Sequence, residues 1–192
     1  MDLLKNKIKK DGYVLKNEVL KVDSFLNHQI DISLYNEIGK EFKKLFNDNK
    51  INKILTIETS GIAIAAITAQ YFDNIPVVFA KKTESLNLDK EIYSSEVYSY
   101  TKEKSYNIMV SKKYLNSDDK ILFIDDFLAN GKALLGIKEI IDKANATLVG
   151  AGIVIEKGFQ GGGDIIRSMG INIKSLARIE SLNPESIVFY QE

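Results

Sequence analysis

The chain lacks cysteine altogether and has two prolines (Pro76, Pro184) and one histidine (His28) in 192 residues. Without cysteine there is no disulfide scaffold, thiolate zinc site, iron–sulfur cluster or thiol nucleophile. A single histidine excludes a metal site built on several imidazoles. An excess of one charge is also missing. Basic residues number 26 and acidic residues 26, so bulk charge would not hold the chain on nucleic acid. The longest apolar run, residues 62–69, falls well short of the roughly 20 residues that cross a bilayer. Residues 1–10 are amphipathic and charged, with no apolar stretch of signal-peptide length. These absences point to a cytoplasmic protein with neither nucleic-acid nor membrane partners. No Pro/Ser-rich linker, repeat or low-complexity tract divides it, so residues 1–192 read as one domain, long enough to bury roughly 70% of its unfolded surface.

What is present alternates between strand and helix. At the start, Leu3, Leu4 and Ile8 line one helical face, and residues 14–25 read as short extended pieces around a turn. In residues 31–46, Leu34, Ile38, Phe42, Leu45 and Phe46 recur near a 3.6-residue period, which predicts an amphipathic helix. Strands are expected at residues 53–58, 77–80, 120–125, 147–155 and 173–179, with helices at 62–72, 131–144 and 165–169. Strands apolar on both faces, alternating with helices, indicate an α/β fold with a mainly parallel sheet covered on both sides. In such folds ligands bind beyond the carboxyl ends of the strands. Between the second and third strands, Tyr93, Val97, Tyr106, Ile108 and Val110 suggest a β-hairpin, and residues 83–107 form a candidate lid.

Residues 121–133 carry the chemistry. Four hydrophobic residues, Ile121 to Ile124, form a buried strand with Asp125 and Asp126 at its tip. A short loop, Phe127-Leu128-Ala129-Asn130-Gly131, then opens a helix at Lys132 and Ala133. The first N–H groups of a helix have no internal partner, and with the helix dipole they suit a phosphate. Gly131 permits close approach of the backbone. The paired acids repel that phosphate but suit neighbouring hydroxyls, such as the diol of a ribose. Strand–Asp–turn also arises when acids merely cap the next helix; the whole stretch, rather than the two acids, argues for a ribose-5-phosphate site.

This stretch resembles the 5-phosphoribosyl-1-pyrophosphate (PRPP) signature of type I phosphoribosyltransferases, and its Phe-Leu-Ala-Asn-Gly form is similar to the bacterial xanthine-specific members. Further similarity lies in Leu20-Lys21-Val22-Asp23-Ser24-Phe25-Leu26-Asn27-His28-Gln29, in residues 56–63, in Ile155-Glu156-Lys157 and in Ser175-Leu176-Ala177-Arg178-Ile179. The resemblance implies the type I phosphoribosyltransferase fold, with a base-binding hood from residues 1–30 and 157–192 and residues 83–107 as a flexible flap. It implies transfer of phosphoribosyl from PRPP to xanthine, with Asp125 and Asp126 on the ribose hydroxyls. Ala129, Asn130, Gly131, Lys132 and Ala133 would wrap the 5-phosphate, and Ser60 and Gly61, in the loop after the first strand, would take pyrophosphate. Leu20, Asn27 and Lys157 would contact the purine. Mg²⁺ is expected with PRPP, with no protein ligand assigned beyond help from the two acids, and a homodimer is implied.

Physical argument meets this at the base. A lysine offers donors and no acceptor, so Lys157 favours a 6-oxopurine over adenine, although a strand-end lysine is usually a solvated charge. Phe159 could stack on the ring or belong to the core. Ser99, Tyr100, Thr101 and Lys102 could fold over pyrophosphate, and Lys81 and Lys82 could add positive charge, within the chain or across a dimer. Gly161-Gly162-Gly163-Asp164 reads either as a loosening of the base-side loop or as a harmless connector. The alternatives are a hypoxanthine/guanine or adenine enzyme, and a purine-sensing regulator, which would need a DNA-binding region for which the chain shows no basic stretch.

Overall fold

The structure, a computed structural model, describes residues 1–15, 19–47, 50–82, 91–99, 104–184 and 186–191, with the backbone alone at Ser99 and Lys104. The chain opens with helix α1 (Asp2–Asp11), the short antiparallel strands β1 (Tyr13–Leu15) and β2 (Val19–Lys21), and a π-helical turn, Asp23–Asn27. Helix α2 (Ile32–Leu45) follows. Asp31 caps it, its Oδ1 accepting from the Leu34 N–H at 3.1 Å, a bond worth about 1 kcal/mol. Next come β3 (Lys53–Ile57), α3 (Ser60–Tyr71), β4 (Val77–Ala80) and a long hairpin, β5 (Ile92–Ser99) and β6 (Lys104–Ser111). The chain continues with β7 (Lys120–Leu128), α4 (Lys132–Lys143), β8 (Thr147–Lys157), α5 (Gly162–Ser168), β9 (Ile173–Asn183) and β10 (Ser186–Phe189).

Among the described residues, the central sheet has six strands in the order β10-β9-β8-β7-β3-β4. Neighbours pair in parallel except β10, which is antiparallel at the edge. The alternation of side chains along β7 explains why it is central. Leu122 and Ile124 enter one core with Ile38, Phe42 and Val154, while Ile121 and Phe123 enter the other with Ile137, Ile140 and Ile153. Helices α1, α2 and α3 supply the first core; α4, α5 and the hairpin supply the second. The parallel, two-sided sheet expected from the sequence is therefore present.

Several boundaries move. Strand β7 runs to Leu128 because it stays paired with β8 through Leu128 and Glu156, so the acids lie inside the strand and not beyond its tip. Helix α3 begins at Ser60, which places Ser60 and Gly61 in its first turn rather than in a loop. Leu3 is exposed, leaving Leu4 and Ile8 as the buried face of α1. The glycine-rich stretch is neither loose nor idle: Gly162 and Gly163 are buried in the first turn of α5.

The hairpin stem is seated on α4. Val97, Ile108 and Val110 are buried, and a Cβ at Gly136 would lie 2.6 Å from Val97 Cγ2, so glycine is needed for this approach. Ser95 Oγ donates to Glu139 at 2.6 Å, and Lys143 Nζ donates to the Ser94 carbonyl at 2.6 Å. Within the expected flap, residues 83–90 and 100–103, with Tyr100, Thr101 and Lys102, lie outside the described residues, as does the Ser99 side chain. No helix among the described residues is long and apolar enough to cross a membrane.

At the start of β3, Lys53 Nζ donates to Asp119 Oδ2 at 2.6 Å and to the Tyr114 carbonyl at 2.7 Å, with both charged side chains buried. Breaking this pair leaves an unmatched charge in the core. Asp119→Ala should cost about 3–5 kcal/mol in urea unfolding, and the double replacement Lys53→Met with Asp119→Leu should lie closer to the parent protein.

Candidate active site

Parallel strands end on a common edge, and here that edge collects the chemistry. The ends of β3, β4, β7 and β8 bring together Ser60 and Gly61, Lys82, the two acids and Lys157. Asp125 Oδ1 accepts from the Asp126 N–H at 3.0 Å, and Asp126 Oδ1 accepts from the Phe127 N–H at 3.0 Å. Asn27, exposed at the end of the π-helical turn, donates from Nδ2 to Asp126 Oδ2 at 3.3 Å. Neither acid caps α4. Its cap position is Gly131, at φ 80°, where a side chain would be strained, and Asn130 Oδ1 accepts the Lys132 N–H at 3.2 Å. The turn at 129–131 thus faces the open, positive end of a 12-residue helix, a geometry suited to an anion.

The electrostatics are uneven. Burial pushes the Asp125 carboxyl well above the usual carboxylate range, and the charge of Asp126 pushes it further; the Asp126 N–H and the charge of Lys82 pull it partly back. Lys82 is exposed, and its Nζ lies 5.6 Å from the centroid of the Tyr106 ring. The Tyr106 phenol is itself raised, by burial and then by Asp125. Gly61 sits close by. A Cβ there would come within 3.3 Å of Asp125 Oδ1 and would overlap Thr56 Oγ1, a buried hydroxyl with no hydrogen-bond partner. On the other side, the buried Tyr35 phenol donates to the Leu26 carbonyl and so fixes the turn that carries Asn27. Burial and the charge of Asp126 push Tyr35 up to about 12.

Of the remaining sequence candidates, Lys157 is the last residue of β8, beside Ile179 of β9. Leu20 is only 6% exposed and packs with Val22 and Phe25, so its side chain is committed to the core. Phe159 is partly buried against the same core, and His28 is exposed.

The family model of the phosphoribosyl transferase domain matches residues 27–165. A xanthine phosphoribosyltransferase from Alkaliphilus metalliredigens is 63% identical over 189 residues, covering 98% of this chain and 93% of its own. One from Clostridioides difficile is 57% identical, covering 98% and 100%. The chain belongs to the phosphoribosyltransferase family, within its xanthine phosphoribosyltransferase branch. The type I phosphoribosyltransferase fold is also that of an adenine phosphoribosyltransferase from Trypanosoma brucei, solved with AMP, pyrophosphate and ribose-5-phosphate. That structure aligns with a TM-score of 0.75 at 19% identity, covering 91% of this chain and 79% of its own.

A phosphoribosyltransferase that uses PRPP works with a divalent cation. The donors of this phosphoribosyltransferase fit an ion carried mainly on substrate oxygens. Two adjacent carboxylates are available, and among the described residues no group of three or more His, Asp or Glu side chains forms a cage. Sequence reasoning passed over Tyr35, Tyr106 and, most of all, Glu156. Glu156 is fully buried one residue before Lys157 and bound by both arginines of the chain, Arg167 and Arg178. A charged residue inside an otherwise apolar strand was the available signal. For Glu156, burial alone would raise the carboxyl, but hydrogen bonds from Arg167 and Ser175 outweigh it and hold the group below its ordinary range.

The strained ionisation of Asp125 has a measurable sign. Its folded pKa is raised, so the ionised carboxylate weakens the ligand-free fold at neutral pH, and this penalty fades as falling pH protonates the group. Asp125→Asn keeps an acceptor for the Asp126 N–H and removes the charge. Calorimetry at neutral pH should show a thermal midpoint higher by roughly 2–4 °C, the shift that about 1 kcal/mol gives at this size, and the gain should shrink on acidification.

Proposed function

We propose that the chain transfers the 5-phosphoribosyl group of PRPP to N9 of xanthine, giving xanthosine 5′-monophosphate and pyrophosphate. The observation that carries this reading is the 3.3 Å contact between Asn27 and Asp126. It joins the hood segment to an acid at the sugar end, so a base and a ribose bound there would adjoin.

Asp125 and Asp126 hold the ribose hydroxyls, and Ala129, Asn130, Gly131, Lys132 and Ala133 wrap the 5-phosphate against the start of α4. Ser60 and Gly61, in the first turn of α3, take the pyrophosphate by the same helix-end logic. Lys157 donates to the exocyclic oxygen at C6, Asn27 serves the C2 side, and Leu20 shapes the hood behind it. Xanthine presents carbonyl oxygens at both positions, and a site built to bond a carbonyl rejects analogues that lack it.

The N9–C1′ bond forms as the C1′–oxygen bond breaks. Pyrophosphate leaves with the electron pair, and the N9 proton passes to solvent. Positive charge grows on the ribose ring in the transition state, and the two nearby carboxylates are placed to stabilise it. Asp125 and Asp126 are the residues that would help hold Mg²⁺, the ion this reading assigns, and when bound it would supply charge neutralisation for the pyrophosphate. Positioning supplies the rest, since no protein nucleophile is required. In this reading residues 1–192 act as one unit and as a homodimer, with residues 1–30 and 157–192 as the hood. The flap, residues 83–107, keeps water from the reacting carbon.

A base-competition assay for pyrophosphate release tests the assignment: xanthine should outcompete guanine, hypoxanthine and adenine. Lys157→Ala should raise the KM for xanthine by about tenfold or more, the worth of one hydrogen bond from a charged donor, while the KM for PRPP holds within about twofold. An unchanged KM for xanthine would remove Lys157 from the pocket. Asp126→Asn should impair PRPP use with the circular dichroism spectrum preserved.

A further inference from the structure

Of the 26 basic residues, only Arg167 and Arg178 are arginines, and both bind one carboxylate. Glu156 has no exposed surface. Arg167 grips it with two parallel bonds, Nη1 to Oε1 at 2.8 Å and Nη2 to Oε2 at 2.6 Å. Arg178 Nε adds a third at 3.0 Å, and the Ser175 hydroxyl donates a fourth. A buried ion cluster of this kind is poor value as a stabiliser, because desolvation offsets most of the attraction. Its effect is better sought in what it holds in place.

Arg167 lies in the last turn of α5, and the first turn of α5 lies directly under the 129–131 turn. A Cβ at Gly162 would collide with Ala129 O and Asn130 C and lie 2.6 Å from Gly131 N. In return, a Cβ at Gly131 would lie 2.7 Å from Ile166 Cδ1 and 3.3 Å from the Gly162 carbonyl. Between these contacts, Gly163 leaves the space that the Glu156 carboxylate and the Arg167 guanidinium fill. Arg178 pins the same helix from outside through Asp164, Nη2 to Oδ1 at 2.5 Å.

We infer that Glu156, Arg167 and Arg178 are positioning residues that seat α5 under the 129–131 turn, fixing the height of that turn relative to Lys157, the next residue after Glu156. None of the three needs to touch substrate. One carboxylate then sets the spacing between the phosphate end and the base end of the site. This rests on the reading of residues 129–133 as the 5-phosphate loop.

The test uses Arg167→Lys, which keeps the charge but loses the paired geometry, and Gly163→Ala, which crowds the carboxylate without deleting any charged group. Steady-state kinetics and calorimetric titration with PRPP and Mg²⁺ are read together. A displaced loop should raise the KM and the dissociation constant for PRPP by about tenfold or more, while the KM for xanthine changes far less. A merely structural role would lower the thermal midpoint of either variant without that split. Gly131→Ala serves as the reference for the loop itself. If it weakens PRPP while Arg167→Lys and Gly163→Ala bind PRPP as the parent does, the inference is wrong and the loop assignment stands. If Gly131→Ala leaves PRPP binding unchanged, the loop assignment fails and takes the inference with it.

Discussion

Two carboxylates on consecutive residues, half-buried at the end of a strand, repel one another, and the site is arranged around that repulsion. Burial and Asp126 together oppose ionisation of Asp125. The relief comes from two directions, the backbone N–H of Asp126 and the charge of Lys82, while the Asn27 amide bonds the neighbouring Asp126. Each of these lies on a different segment, so the acids gather the π-helical turn, the residues just after β4 and β7 into one cluster. A ligand with hydroxyls and an accompanying cation would satisfy the acids far better than the ligand-free protein does. In the ligand-free chain the Asp125 charge is therefore disfavoured, as at sites where stability and activity compete.

The sheet makes this possible. Parallel pairing through β9, β8, β7, β3 and β4 puts all the functional strand ends on one edge, and the apolar residues on both faces of β7 require helices on both sides. The family-wide match spans residues 27–165. The N-terminal hairpin and all of β9 and β10 lie outside it, and β9 neighbours Lys157 through Ile179. The family model thus spans the paired acids, the 129–131 turn and Lys157, and the elements beyond it flank that edge of the sheet.

Much of this was legible in the residues. The run Ile121 to Ile124 followed by two acids and a glycine-bearing turn announced a buried strand and a turn that opens a helix, because each feature is local. What escaped was non-local. The end of β7 depends on its pairing with β8, which no window around Asp125 reveals. The burial of the Leu20 side chain, in a cluster with Val22 and Phe25, is likewise a tertiary feature. The glycines at 161–163 look like slack in one dimension, whereas in three dimensions Gly162 and Gly163 are the points of closest approach to the phosphate turn and to Glu156. Glu156 itself is one acid among 26 until its two arginines, 11 and 22 residues away, are seen to converge on it.

The contact between Gly162 and the 129–131 turn is made by main chain on main chain. The atoms that a Cβ at 162 would meet are main-chain atoms of residues 129–131, so any side chain there would wedge the two backbones apart. The strict requirement for glycine therefore falls on the underside of that turn, at position 162.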